Sequence, residues 1–202
     1  MKIIGLCGGS GSGKGAVCDL FLELGIPSID TDALYHKMTS SDSPCLRALA
    51  REFGESIIDV HGKLDRVVLR GIVFSSDGEK KRKKLNEIAH KYILDRTREI
   101  IKEYECAGKR AVIVDAPLLF ESGFNKECDF ILCVTADEKI RVKRIVLRDG
   151  ISEEDAYKRI SSQITTEELL SKSDAFITNN GDYASLSVEV RRVSEIIFGE
   201  DK

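Results

Sequence analysis

Gly8-Gly9-Ser10-Gly11-Ser12-Gly13-Lys14 fits the pattern G-x-x-x-x-G-K. Glycines at that spacing let consecutive backbone N–H groups turn toward phosphate oxygens. The helix that follows adds its positive end, and the lysine reaches the β- and γ-phosphates. The chemistry is nucleotide binding and phosphoryl transfer. The residue after the lysine normally offers Mg²⁺ a hydroxyl, but here Gly15 follows, then Ala16. Either a water takes the place of that hydroxyl, or the chain binds nucleotide and turns it over slowly.

Acid–base and charge-stabilising candidates lie elsewhere in the chain. Asp30, Asp32 and Asp115 end apolar runs, where carboxylates help place Mg²⁺ and water. An acceptor hydroxyl needs a carboxylate within hydrogen-bond reach, and Asp32 is the candidate base. The same residue type also caps helices, a competing role for any one of them. Arg141, Arg144 and Arg148 share one helix face, and Arg159, eleven residues further on, is expected to return near it. Behind a phosphate loop such a face reads as a lid that neutralises transferring phosphate and excludes water. Taken alone, it reads as a solvated, salt-bridged surface. Lys80-Lys81-Arg82-Lys83-Lys84 reads by default as a solvated helix face, and more sharply as a steering patch for an anionic acceptor. Asn179-Asn180-Gly181-Asp182 does not match the guanine-specific N-K-x-D.

These residues need a scaffold. Short β-type apolar runs at 3–7, 27–30, 111–114, 129–135 and 175–178 alternate with helical periodicity, as at Ala16, Leu20 and Leu24. The alternation predicts βαβ units and a parallel sheet covered on both faces. The expected fold is α/β, a three-layer phosphate-loop NTPase sandwich with a five-stranded parallel sheet. The core comprises about 1–32, 106–136 and 174–202; a helical acceptor-binding insertion covers 33–105 and a helical lid 137–173. Both insertions are expected over the carboxyl edge of the sheet, where such folds bind ligands.

Composition removes other classes. The 202 residues carry 31 Lys+Arg against 34 Asp+Glu, a net charge of -3, which argues against a duplex-DNA binder. With no Trp and 6% aromatics, a base-stacking platform is not expected, so no nucleic-acid partner is. No apolar run approaches the ~20 residues of a membrane helix. Six cysteines without zinc spacing, and a start without a signal-peptide layout, read as a reducing, cytoplasmic setting with the thiols as small buried hydrophobes. A monomer or small homo-oligomer is expected.

From end to end the chain resembles the dephospho-coenzyme A kinase family. The resemblance rests on Gly5 to Lys14 and on Ile29-Asp30-Thr31-Asp32. Further matches are Phe53-Gly54, Gly62-Lys63-Leu64-Asp65-Arg66 with Leu69 and Val73-Phe74, and Leu85-Asn86-Glu87-Ile88-Ala89-His90. It continues through Asp115-Ala116-Pro117-Leu118-Leu119-Phe120-Glu121, then Arg144, Arg148-Asp149, Arg159 and Gln163, and closes on Asp174 and Asn179. The resemblance implies ATP-dependent phosphorylation of the ribose 3′-hydroxyl of dephospho-coenzyme A. It places Gly8–Ala16 on the ATP phosphates with Lys14 catalytic, and Asp32 as base. Arg144 and Arg148 fall on the phosphoryl group, Asn179 near the adenine, and Asp32 and Asp115 near Mg²⁺. Asp65, Arg66, His90, Pro117, Leu118 and Glu121 fall at the acceptor. Against the family pattern, Cys7 stands for Thr, Ser10 for Ile or Val, Gly15 for Ser or Thr, Lys91 for Pro and Arg141 for Gln. Two alternatives stand beside this reading: a catalytically weakened ATP-binding protein, and a small kinase with another nucleoside-like acceptor.

Overall fold

A computed structural model describes residues 1–75 and 78–199, so the end of the expected C-terminal core segment, 200–202, lies outside the described residues. The chain divides into two compact units, Met1–Ile29 with Glu103–Lys202, and Asp30–Lys102.

The first unit is built on a parallel sheet. Its strands are β1 (Lys2–Cys7), β2 (Ser28–Asp30), β3 (Ala111–Asp115), β4 (Phe130–Thr135) and β5 (Ala175–Thr178), in the order β2-β3-β1-β4-β5. β1 pairs in parallel with β3 and β4, and β4 with β5. The expected α/β class and five strands are what is found. Residues 111–114 are completely buried, as a strand sandwiched between helices must be. β2 starts one residue later than expected because Pro27 has no N–H to give; its carbonyl still accepts from Ile113 N at 2.9 Å. Helices α1 (Lys14–Glu23) and α9 (Tyr183–Phe198) bury Val17, Phe21, Val190 and Val193 against Ile4 and Leu132.

The same unit holds three short helices, α6 (Glu138–Asp149), α7 (Glu153–Ser161) and α8 (Thr166–Ser171). α6 stops at Gly150, which takes the left-handed conformation at φ 65°. Arg159 therefore does not continue the arginine face of α6 along one helix, as its spacing suggests. It lies on α7, and the intervening turn folds it back onto Asp149.

The second unit is helical: α2 (Thr31–Thr39), α3 (Pro44–Phe53), α4 (Arg66–Val73) and most of α5 (Gly78–Cys106). Cys45, Leu46, Leu49, Ile57, Leu69 and Val73 form its own core. A lone antiparallel bridge, Ile58 to Leu64, closes the turn that carries Lys63. α5 buries only Gly78, Ala89, Thr97 and Ile101, and covers its exposed faces with i,i+3 and i,i+4 ion pairs such as Lys84–Glu87 and Lys91–Asp95. The basic run at 80–84 lies on this helix. There Lys81 donates to Ser75 Oγ, and Arg82 stacks 5.3 Å from the Phe74 ring centre. Four cysteines are buried as expected, but Cys106 is exposed and Cys128 only partly covered.

Candidate active site

The phosphate loop joins β1 to α1, and its carbonyls are engaged partly within the loop and partly by side chains of α6 and Asn179. Gly8 O accepts from Lys14 Nζ at 3.2 Å, and Gly9 O from Ser12 N at 3.1 Å. Ser10 O accepts from Arg141 Nε at 2.9 Å. Gly11 O and Ser12 O both accept from Arg144 at 3.3 Å, and Ser12 O also from Asn179 Nδ2 at 2.9 Å. With carbonyls pinned outward, the loop is left to turn N–H groups the other way, the arrangement an anion requires. Gly11, at φ 78°, could not be replaced: a Cβ there would sit 2.6 Å from the carbonyl oxygen of Arg141.

The starts of α1 and α6 lack a side-chain cap, with Gly13 and Asp137 at the cap positions. α2, α3, α4, α7, α8 and α9 each begin with a side-chain cap, from Asp30, Ser43, Asp65, Ser152, Thr165 and Asp182. α1 begins at Gly13 with no side-chain cap, so its first N–H groups are left for a ligand. Lys14 Nζ lies 3.9 Å from Asp115 Oδ1 at the end of β3, both side chains largely covered. Ser12 Oγ, beneath the loop, is buried with no hydrogen-bond partner. Gly15 is exposed, and a Cβ built on it meets nothing within 4 Å.

Three of the expected site residues are already engaged by the protein itself. Arg141 is not a solvent-facing lid arginine: it is 7% exposed, its guanidinium lies against Gly9, and it braces the loop. Asn179 is likewise a buried brace, bonded to both Ser12 O and Arg144. Arg148 does not join Arg144 on the loop. It forms a two-bond pair with Asp149 at 2.8 and 2.9 Å, and Arg159 binds the same carboxylate. Together they hold the Asp149 carboxyl down at about 2, the Arg148 hydrogen bonds being the main cause. Gln163 enters the sequence reading only as a match to the lid pattern; here its Oε1 accepts from Ser10 N at 2.9 Å and its Nε2 donates to Ser10 Oγ at 3.1 Å. The unusual Ser10 gives this glutamine a second bond, a coupling that no spacing rule signals.

In the second unit, Asp30, Asp32, Tyr35, His36, Lys37 and Arg66 line a cleft of about 930 Å³. Of the two neighbouring carboxylates, Asp30 accepts from Ala33 N at 2.9 Å as the cap of α2, while Asp32 lies in that helix's first turn on the cleft wall. Asp65 caps α4, accepting from Val67 N and Val68 N at 2.9 and 3.0 Å. It thereby fixes the start of the helix that carries its neighbour Arg66. His90 is half-buried on α5 and is not among the residues lining the cleft. Pro117, Leu118 and Glu121 are exposed in the first unit, on the segment after β3.

A parallel sheet with a phosphate loop between its central strand and an uncapped helix defines a P-loop phosphotransferase. The dephospho-CoA kinase family model matches residues 2–185. The chain is similar to a dephospho-CoA kinase of Corynebacterium efficiens, 36% identical over 98% of both chains. It is also similar to one of Arabidopsis thaliana, 38% identical over 96% of this chain and 82% of that one. Among solved structures, a dephospho-CoA kinase from Campylobacter jejuni superposes with a TM-score of 0.70 at 30% identity, covering 97% of this chain and 98% of that one. The chain belongs to the dephospho-CoA kinase family and is a kinase that uses ATP.

Proposed function

We propose that this chain transfers the γ-phosphoryl group of ATP to the ribose 3′-hydroxyl of dephospho-coenzyme A, the last step of coenzyme A synthesis. The loop from Gly8 to Gly13, with Gly15 and Ala16 at the helix start, holds the phosphates. Lys14 bridges the β- and γ-oxygens and follows charge onto the leaving ADP. Asp32 takes the proton of the attacking hydroxyl. Arg66, Lys37 and His36 line the same cleft and suit the acceptor's diphosphate. His90, Pro117, Leu118 and Glu121 contact the remainder of the acceptor. Arg144 and Asn179 set the loop's shape beside the adenine. Arg148 exchanges Asp149 for the transferring phosphoryl group as substrate closes the site. No helix among the described residues is long and apolar enough to cross a membrane; we assign the reaction to the cytoplasm.

The observation that carries this reading is the cleft of the second unit. It joins Asp32 to Arg66, residues from separate stretches of sequence that both fall at the acceptor by resemblance. An ADP-release assay offering dephospho-coenzyme A, AMP and phosphopantetheine tests it. Turnover is expected with the first alone. Equal turnover of AMP would point to a different acceptor, and ATP binding without any turnover to a weakened protein.

Gly15 is the observation that favours weakened turnover, and the surroundings bear on it. Mg²⁺ enters as part of the nucleotide substrate and neutralises phosphate charge. Among the described residues no three His, Cys, Asp or Glu side chains form a ligand group. Phosphate oxygens and water would therefore supply most ligands, with Asp115 meeting the water shell. The unpartnered Ser12 hydroxyl and the open space at Gly15 both leave room for that shell. Gly15→Ser should therefore raise kcat no more than about threefold. It should also stabilise the start of α1 by roughly 0.5 kcal/mol, since glycine is a poor helix former. A Mg²⁺ titration of kcat together with a thermal melt checks both; a rise of two orders of magnitude in kcat would mean that the missing hydroxyl is not compensated.

A further inference from the structure

Cys7 and Cys133 face one another at the root of the phosphate loop. Cys7 is the last residue of β1 and Cys133 lies in β4; the parallel register pairs their Cα atoms directly. Side chains in register on adjacent strands point to the same face, and adjacent strands lie ~4.8 Å apart. That falls within the Cα separation of about 4.4–6.8 Å that a disulfide spans. Both residues are buried, at 2% and 1% exposure. Cys7 Sγ also lies 3.5 Å from Ser173 Oγ.

The two thiols differ in character. The hydrogen bond from Cys133, with that from Ser173 and the nearby Lys14 ammonium, lowers the Cys7 thiol below its ordinary value against the opposing effect of burial. The same hydrogen bond, and burial, push Cys133 up. The two thiols are thus shifted in opposite directions, Cys7 down and Cys133 up.

We propose that Cys7 and Cys133 are a peroxide-oxidisable pair whose disulfide switches off nucleotide binding. The Cys7 thiolate attacks hydrogen peroxide: an S–O bond forms, the O–O bond breaks, and hydroxide leaves with the electron pair and becomes water on protonation. Cys133 sulfur then attacks the Cys7 sulfenic sulfur: S–S forms, S–O breaks, and the departing oxygen leaves as water with the Cys133 thiol proton. Two thiols are oxidised by two electrons and one peroxide is reduced to two waters. The consequence follows from the next residue. A Cβ at Gly8 would already lie 2.3 Å from the carbonyl oxygen of Val134, so the start of the loop lies directly against the β4 backbone. Drawing the Cys7 and Cys133 sulfurs to bonding distance shifts Gly8, whose carbonyl holds Lys14. Between parallel strands the bond is strained, hence easily reduced.

The full chain treated with hydrogen peroxide, then mapped by peptide mass spectrometry without reduction, tests this. Binding of a fluorescent ATP analogue is followed in parallel; neither readout depends on the acceptor. A Cys7–Cys133 cross-linked peptide and a nucleotide Kd raised at least about tenfold are expected, both reversed by dithiothreitol. Cys133→Ala should bind nucleotide normally and resist peroxide, and Cys7→Thr should resist it as well. A Cys106→Ser chain, lacking the exposed thiol, should remain sensitive. Loss of binding with Cys7 and Cys133 still reduced, or undiminished sensitivity in Cys133→Ala, would overturn the proposal. So would formation of the cross-link with nucleotide affinity unchanged.

Discussion

Asp32→Asn should lower kcat by about 10²- to 10⁴-fold, the usual contribution of a positioned general base, equivalent to about 3–5.5 kcal/mol of barrier. The amide keeps the shape and the helix position but cannot accept a proton at neutral pH. Nucleotide affinity should change little, because the braces of the phosphate loop come from Arg141, Arg144, Asn179 and Gln163, not from this residue. The control is Asp30→Asn. Asp30 caps α2 through Ala33 N, and asparagine caps about as well as aspartate, so activity and stability should both survive. Steady-state kinetics with saturating ATP and acceptor separate the two variants. If Asp32→Asn retains kcat within about threefold, a base role is excluded.

Arg141→Leu should damage stability more than any other single change at the loop. Arg141 is a buried cation whose hydrogen bonds go to neutral oxygens, Ser10 O at 2.9 Å and Thr166 Oγ1 at 3.5 Å. Burial lowers its pKa, the expected sign for a cation withdrawn from water. Leucine removes the donor and leaves a buried carbonyl unsatisfied, about 1–3 kcal/mol, with a cavity where the guanidinium lay. A loss of about 2–4 kcal/mol would lower Tm by roughly 5–15 °C in a chain of this size. Nucleotide Kd should rise with it, since Ser10 is then held by Gln163 alone. Arg141→Gln, the residue the family pattern carries here, retains an N–H donor and should recover part of both. A Tm unchanged in Arg141→Leu would show that Ser10 O finds another partner.

Much of the fold is readable from local pattern. Residues 111–114 are an uninterrupted apolar run because both faces of that strand are covered, and Gly8 to Lys14 announces its loop through glycine spacing alone. The site was less readable. Asp30, Asp32 and Asp65 are the same residue type in similar local settings; only their positions relative to helix starts make Asp30 and Asp65 caps and leave Asp32, beside Asp30 on the cleft wall, without that duty. The arginine face was visible as a spacing, but burial of Arg141, bracing by Arg144 and pairing of Arg148 with Asp149 are three outcomes on one helix. They depend on what packs against each turn of α6. Arg159 shows the same limit: Gly150 ends the helix, and periodicity no longer predicts direction past that point.

The sequence alone determined that this is an α/β phosphate-loop kinase of the dephospho-CoA kinase family. Glycine spacing, strand-length apolar runs and a chain-long order of motifs are properties of neighbours along the chain. Only the tertiary structure decided which polar groups are already occupied within the fold. Burial and partner choice depend on residues more than a hundred positions apart, as with Arg141 on Ser10 or Cys133 beside Cys7. Backbone hydrogen bonding across that distance follows from sheet order, which local periodicity does not encode.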